Sequence, residues 1–381
     1  MLDLFKKNKR YIILFGISFY IVLLALGFYF YYKYKERFQA FNRLRTTHVD
    51  KIKSYIDSYD VLYSDKNTLQ INSLEDFNKN VPLLGYKISD QWEHTENLYA
   101  ILHDLCRIGG LRKMYVPPQL NHSSTDIQTN QLLAEKKLAE WLQVNPGEKM
   151  LELGCGCGAI SESMSHNTNC FITGINLDEE TLEKGRQHLK KQNNNYVTLE
   201  YADYNEPLKY ADESFDGCYQ IQSMTFSNNL SQLFKEIYRV LKPGKRLVIM
   251  DGVILDNFDK TNQNDMNNII ETQKVCAAGG FWHPKYWEKC GTDAGFEVVK
   301  STCGDKYPHH YANELSVLID IDNHYEKLEN CMNVLVSCKL LPKHLSVLIR
   351  RLREGSASMI ELCKQHKLTT NYFFIFEKPL S

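Results

Sequence analysis

A surplus of charge is missing from this sequence. Its 45 basic and 46 acidic residues leave a formal net charge of -1 over 381 residues. A chain so balanced has no electrostatic footprint for nucleic acid, and none is expected as a partner. Metal-ligand spacing is missing too. The eleven cysteines and twelve histidines never fall into the spaced pairs of a zinc site, so no metal is expected. Cys155 and Cys157 stand one residue apart, too close for ordinary disulfide geometry. The thiols are read as reduced and facing the cytosol. Charge is absent altogether from Tyr11 to Tyr32, whose 22 almost wholly apolar or aromatic residues would span about 30 Å as a helix. The length of the run and the lack of a small-residue cleavage site argue against its rival reading, a cleaved signal peptide.

What surrounds that run is basic. Lys6, Lys7, Lys9 and Arg10 precede it; Lys33, Lys35 and Arg37 follow. Phe28 to Tyr32 and Tyr34 make an aromatic belt at one end. The sequence therefore predicts a single-pass anchor in residues 1–37, on the endoplasmic reticulum, with the lipid membrane as a partner and the large domain cytosolic. Residues 38–125 read as a helical lead-in, with helices over Lys51–Leu62 and Trp92–Leu105 broken at Gly109-Gly110. Ser124 and Thr125 are placed to cap a helix over Asp126–Leu142. Residues 126–300 read as the core domain and 301–381 as an extension on the substrate side.

The core opens on Met150-Leu151-Glu152-Leu153-Gly154-Cys155-Gly156-Cys157-Gly158. An apolar strand runs into three alternating glycines, which let backbone approach a ligand, and a helix starting at Ala159 turns its free N–H groups to the same place. Strands at Cys170–Ile175, Val197–Tyr201, Phe215–Ile221 and Arg246–Met250 then alternate with helices at Glu179–Gln192 and Leu230–Leu241. Strand–helix alternation predicts an α/β, doubly wound Rossmann-like sheet with ligands beyond the strand ends. After strand five come a helix at Met266–Ala277, a short cap at Trp282–Cys290, a strand at Phe296–Ser301, helical stretches at Asn313–Leu341 and Leu345–Cys363, and a last strand at Tyr372–Phe376.

The G-x-G-x-G run with Glu152 ahead of it resembles the nucleoside-binding loop of class I S-adenosylmethionine-dependent methyltransferases. That resemblance implies S-adenosyl-L-methionine as cofactor. Gly154, Gly156 and Gly158 would admit its amino-acid part and ribose. Glu152 would receive the ammonium or orient the loop. Asn176 or Asp178 would meet the ribose, and Asp203 the adenine amino group. Within that class the chain resembles the sterol C-methyltransferase family. Leu151–Gly158, Phe215-Asp216 with Tyr219 and Ile221, Glu236-Ile237-Tyr238-Arg239-Val240-Leu241-Lys242-Pro243-Gly244, and Tyr372-Phe373-Phe374 with Lys378-Pro379 carry the likeness. It implies methyl transfer to a sterol carbon, either C-24 of the tail or C-4 of the ring. Another isoprenoid, a small metabolite or a non-catalytic sterol-binding protein stay open, as does oligomerisation.

The departures lie on the acceptor side. Leu105–Met114 lacks the family's tyrosine-acid-tyrosine and tryptophan run. Gln222 and Phe226 stand where a glutamate and a histidine are usual, and Asp251-Gly252 replaces Glu-Trp. Tyr219 and Asp251 are the expected groups for acceptor orientation or proton handling. Tyr115, His283, His309 and His310 are further candidates.

Overall fold

A computed structural model describes residues 33–46, 92–303 and 315–380, apart from the single positions 122, 277 and 279. These residues fall into two compact units. Residues 33–46 and Ala100–Arg112 form one, and residues 92–99 with 113–380 form the other. In the first, α1 (33–46) pairs Arg43 with Asp104 and Glu36 with Arg107, each at 2.6 Å. Asp104 and Arg107 lie on α2 (Trp92–Ile108), which runs three residues past the expected Leu105 and stops before Gly109-Gly110.

The expected transmembrane helix is corrected. Among the described residues no helix is long and apolar enough to cross a membrane, and Tyr11–Tyr32 lies outside them. The membrane partner, the single-pass topology and the endoplasmic-reticulum location rested on that helix and fall with it. Lys51–Leu62, His309 and His310 also lie outside the described residues.

In the second unit the elements run α3 (Ile127–Leu142), β1 (Lys149–Leu153), α4 (Ala159–Thr168), β2 (Phe171–Asn176), α5 (Glu179–Lys191), β3 (Val197–Tyr201), β4 (Gly217–Ile221), α6 (Leu230–Val240) and β5 (Arg246–Ile254). Then follow α7 (Gln263–Cys276), α8 (Pro284–Asp293), β6 (Glu297–Thr302), α9 (Leu315–Ser337), α10 (Lys343–Lys364) and β7 (Leu368–Glu377). The strands form one seven-stranded sheet in the order β3-β2-β1-β4-β5-β7-β6. Pairing is parallel from β3 to β5, and β7 lies antiparallel between β5 and β6.

Alternation along the strands sends successive side chains to opposite faces. Leu247 and Ile249 of β5, with Phe374 and Phe376 of β7, join α6 and α8 in one buried cluster. Val248, Met250, Phe373 and Ile375 join α3, α4 and α5 in the other. The expected cap at Trp282–Cys290 is instead part of the first cluster. Pro284 starts α8, and Trp287 is fully buried, stacked on Phe374 with ring centroids 5.4 Å apart. The expected cap of α3 also shifts by a residue: the Asp126 carboxylate takes the Thr129 N–H at 2.8 Å, while Ser124 accepts from the Asp126 N–H.

The segment Glu236–Gly244 works as a structural clamp. Arg239 pairs with Glu236 and donates to the carbonyls of Leu208 and Tyr210, while Glu236 takes the Leu208 N–H. Lys242 holds Asp216 at 2.6 Å. Lys378 donates to the carbonyls of Tyr238 and Leu241 at 2.9 and 2.7 Å, capping the otherwise unpaired end of α6.

Candidate functional site

The parallel register brings the C-terminal ends of β1, β2 and β3 to one edge. Leu153 lies opposite Ile175, and Asn176 opposite Tyr201. Gly154, Gly156 and Gly158 then turn the backbone into α4, all at positive φ (71°, 53° and 73°), where an L side chain is strained. Their surroundings differ. A Cβ at Gly154 would sit 2.5 Å from Ser223 Cβ, and one at Gly158 2.8 Å from a Leu199 methyl. A Cβ at Gly156 would meet no described atom within 4 Å. Two of the glycines therefore serve close packing, and Gly156 faces open space. The start of α4 has no capping bond from a side group, which leaves its first N–H groups for a ligand.

Glu152 lies directly beneath this loop. It is 1% exposed, and its Oε2 accepts from Ser161 at 2.5 Å and from Tyr219 at 2.8 Å. Burial pushes its carboxyl up to about 7, against the pull of those two hydroxyls. In this position Glu152 ties β1 to α4. Tyr219 is fully buried with its hydroxyl spent on Glu152. Tyr115 likewise spends its hydroxyl on Glu135, at 2.8 Å, and Glu135 also takes Lys113.

Asn176 ends β2, and its amide group has no hydrogen bond among the described residues. Asp178 caps α5, accepting from the N–H and hydroxyl of Thr181. Asp203 follows β3 and takes the Asn205 N–H at 2.8 Å, with its second oxygen uncommitted among the described residues.

The edge beyond β4 and β5 is shaped by Asp251. It is 1% exposed. Oδ2 accepts from the N–H groups of Met224 (2.9 Å) and Thr225 (3.3 Å), and Oδ1 from Gly252 (2.7 Å). Burial pushes its carboxyl up to about 7, opposed by those N–H groups. It thereby fixes the short 3-10 turn Met224–Phe226. Tyr99 packs edge-on against Phe226, with ring centroids 5.8 Å apart. Tyr204 donates to the Ser223 carbonyl. Burial raises the pKa of both tyrosines, with the charge of Asp251 adding to it. His283 caps α8 and reaches Asp256 at 2.9 Å.

Gln222 explains one departure. Its Nε2 donates to the carbonyls of Val116 and Thr370, both at 2.9 Å, and its Oε1 takes the Val116 N–H at 3.3 Å. A glutamate cannot donate to two carbonyls. Gln222→Glu is therefore expected to destabilise the fold by about 2–3 kcal/mol at pH 8, measured by urea unfolding. No loss would mean that these bonds carry no weight. Sequence reading passed over Ser223, Tyr204 and Tyr99, because their roles come from long-range contact and no local motif signals them.

The comparisons agree with this geometry. Residues 144–313 match the family described as "Methyltransferase domain". The methyltransferase phqN of Penicillium fellutanum is 33% identical over 36% of the chain and 42% of its own length. Sterol methyltransferase-like 3 of Botryococcus braunii is 25% identical over 65% of the chain and 64% of its own length. The chain thus spans less than two thirds of either relative. Among solved structures, the cyclopropane synthase MmaA2 from Mycobacterium tuberculosis superposes with a TM-score of 0.59 at 12% identity, over 79% of this chain and 98% of that one. The chain has the class I S-adenosylmethionine-binding methyltransferase fold, related to several methyltransferase subfamilies. The residues fit that cofactor: the space beside Gly156 is open, the N–H groups of α4 are uncapped, and the Asn176 amide is free among the described residues at the same edge.

Proposed function

We propose that this protein is an S-adenosylmethionine-dependent C-methyltransferase acting on a sterol, at C-24 of the tail or C-4 of the ring. The observation that carries the proposal is the reach of the sterol methyltransferase-like match. It covers 265 residues, more than the 170 of the domain matched at 144–313.

The bound cofactor supplies an activated methyl group on a sulfonium. The backbone at Gly156 and the N–H groups of α4 hold its amino-acid part, Asn176 the ribose and Asp203 the adenine amino group. Asp178, committed to capping α5, steadies the loop after β2. Glu152 orients the glycine loop from below, and Tyr219 fixes Glu152. Asp251 sets the Met224–Phe226 turn against which an acceptor lies. Tyr99, Tyr204 and Phe226 offer aromatic faces there, which stabilise positive charge left on an alkene carbon after methyl attack.

A second reading, a sterol-binding protein without transfer, draws on Gln222. Its amide is consumed by backbone bonds, so the position that is usually acidic supplies no base. Incubation with labelled cofactor and paired Δ24-sterols and 3-keto sterols, with product carbons located by NMR, separates the readings. The expected result is one sterol carrying a new C-methyl group. Methylation of a small soluble acceptor, with both sterol sets untouched, would overturn the assignment.

A further inference from the structure

A buried amide on α7 is unaccounted for. Gln273 is fully buried, and neither its Nε2 nor its Oε1 has a hydrogen-bond partner among the described residues. Its neighbours on the helix are satisfied: Thr272 donates to the Asn268 carbonyl at 2.8 Å, and Val275 packs where Gly355 of α10 has no side chain. Buried polar groups without partners are rare in folded proteins, and each calls for an explanation.

Helical spacing puts Ile269, Gln273 and Cys276 on one stripe of α7. Ile269 belongs to the cluster of Ile254, Phe281 and Leu368, and Cys276 packs against it. That cluster sits where β5 ends and β7 begins, just past Asp251. The Phe281 ring there occupies the space left by the missing side chain of Gly252. Asp251 is close enough for its charge to add to burial in pushing the Cys276 thiol up to about 12. The stripe that carries Gln273 therefore packs through Ile269 into a cluster shared by α9, α10 and the strand-end edge of the sheet, where ligands of such sheets bind. Gln273 brings one donor and one acceptor into apolar surroundings.

We infer that Gln273 is the polar anchor for the acceptor, with its amide holding a neutral hydroxyl oxygen of the lipid. A hydroxyl uses both halves of the amide: its O–H donates to Oε1 while its oxygen accepts from Nε2. The inference rests on the sterol reading above and names the part of that molecule the protein recognises.

The test pairs a 3β-hydroxy Δ24-sterol with its 3-deoxy counterpart, each delivered from cyclodextrin to the full-length protein and to Gln273→Leu. Wild type is expected to bind the hydroxylated sterol at least about 10-fold more tightly, because a site built for a hydroxyl rejects an analogue lacking it. In Gln273→Leu the ratio should fall to within about 2-fold, with the ligand-free unfolding midpoint unchanged or raised, since leucine removes an unpaired buried amide. An unchanged ratio in the variant would overturn the inference and leave the sterol reading standing. So would a clear drop in the ligand-free midpoint, which marks an amide serving the fold. Failure of wild type to bind either sterol would overturn the sterol reading and the inference together.

Discussion

Gly156→Val is expected to lower affinity for S-adenosylmethionine by at least about 100-fold, roughly 2.7 kcal/mol, while leaving a folded protein. Two effects separate at this position. The φ of 53° makes any branched residue uncomfortable, at roughly 1–2 kcal/mol of fold stability. The added group itself meets no described atom within 4 Å, so the fold loses little more. An isopropyl group would, however, fill the space through which a ligand reaches the backbone. Gly154→Ala is the contrasting variant. Its methyl group would lie 2.5 Å from Ser223 Cβ, so it should act mainly on stability. Calorimetric titration of both variants, with thermal unfolding alongside, checks the contrast. Unchanged affinity in Gly156→Val would move the cofactor away from this loop.

The other large effect is on the fold. Asp251→Ala is expected to cost about 3–5 kcal/mol, since three buried N–H groups lose their acceptor together. That corresponds to a fall of roughly 10 °C in the unfolding midpoint. Asp251→Asn keeps the shape and removes the charge, at the cost of turning one acceptor of those N–H groups into a donor. The folded-state pKa of this carboxyl is raised, from 3.8 to about 7, so the folded state holds its proton more tightly. The stability linked to that proton is present below about pH 4 and is lost as pH rises through about 7. Glu152 acts in the same direction between 4.5 and about 7. Asp251→Asn should therefore flatten, without abolishing, the decline in the unfolding midpoint between pH 4 and 8. A pH profile parallel to wild type would show that this carboxyl does not titrate as assigned.

Much of the sheet could be read directly from the sequence, because strands buried on both faces leave apolar runs and the turns between them are marked by glycine, asparagine and proline. β3 appeared with the bounds expected, and β1 and β2 each within one residue. β7 did not: only Tyr372–Phe376 was foreseen, because Leu368 to Asn371 reads as a polar turn. Thr369 and Asn371 are in fact fully buried there, facing Gln222 and the end of β5. The glycine loop was legible as a motif, but the division of labour among its glycines depends on Ser223 and Leu199, which are distant in sequence. Asp251 was singled out as a group for handling protons. Two of its three N–H donors, Met224 and Thr225, lie on a turn after β4 that only the fold brings beside it. The segments that pointed to a sterol enzyme, Glu236–Gly244 and Lys378-Pro379, meet at the end of α6 as a clamp. Their likeness therefore reports on architecture and leaves the substrate to the acceptor side.

The place of β7 in the sheet has a consequence for synthesis. β5 ends at Ile254, and its last partner ends at Glu377. About 120 residues must leave the ribosome in between, which at about 5–20 residues per second takes roughly 6–25 s. Throughout that interval β5 presents a bare apolar edge, Leu247 to Ile254, in a nascent polypeptide. Unpaired edges of this kind recruit other strands. The vulnerable moment for this protein is thus late in translation, and a holding chaperone that covers this edge would protect its yield more than a gain in the stability of the finished fold.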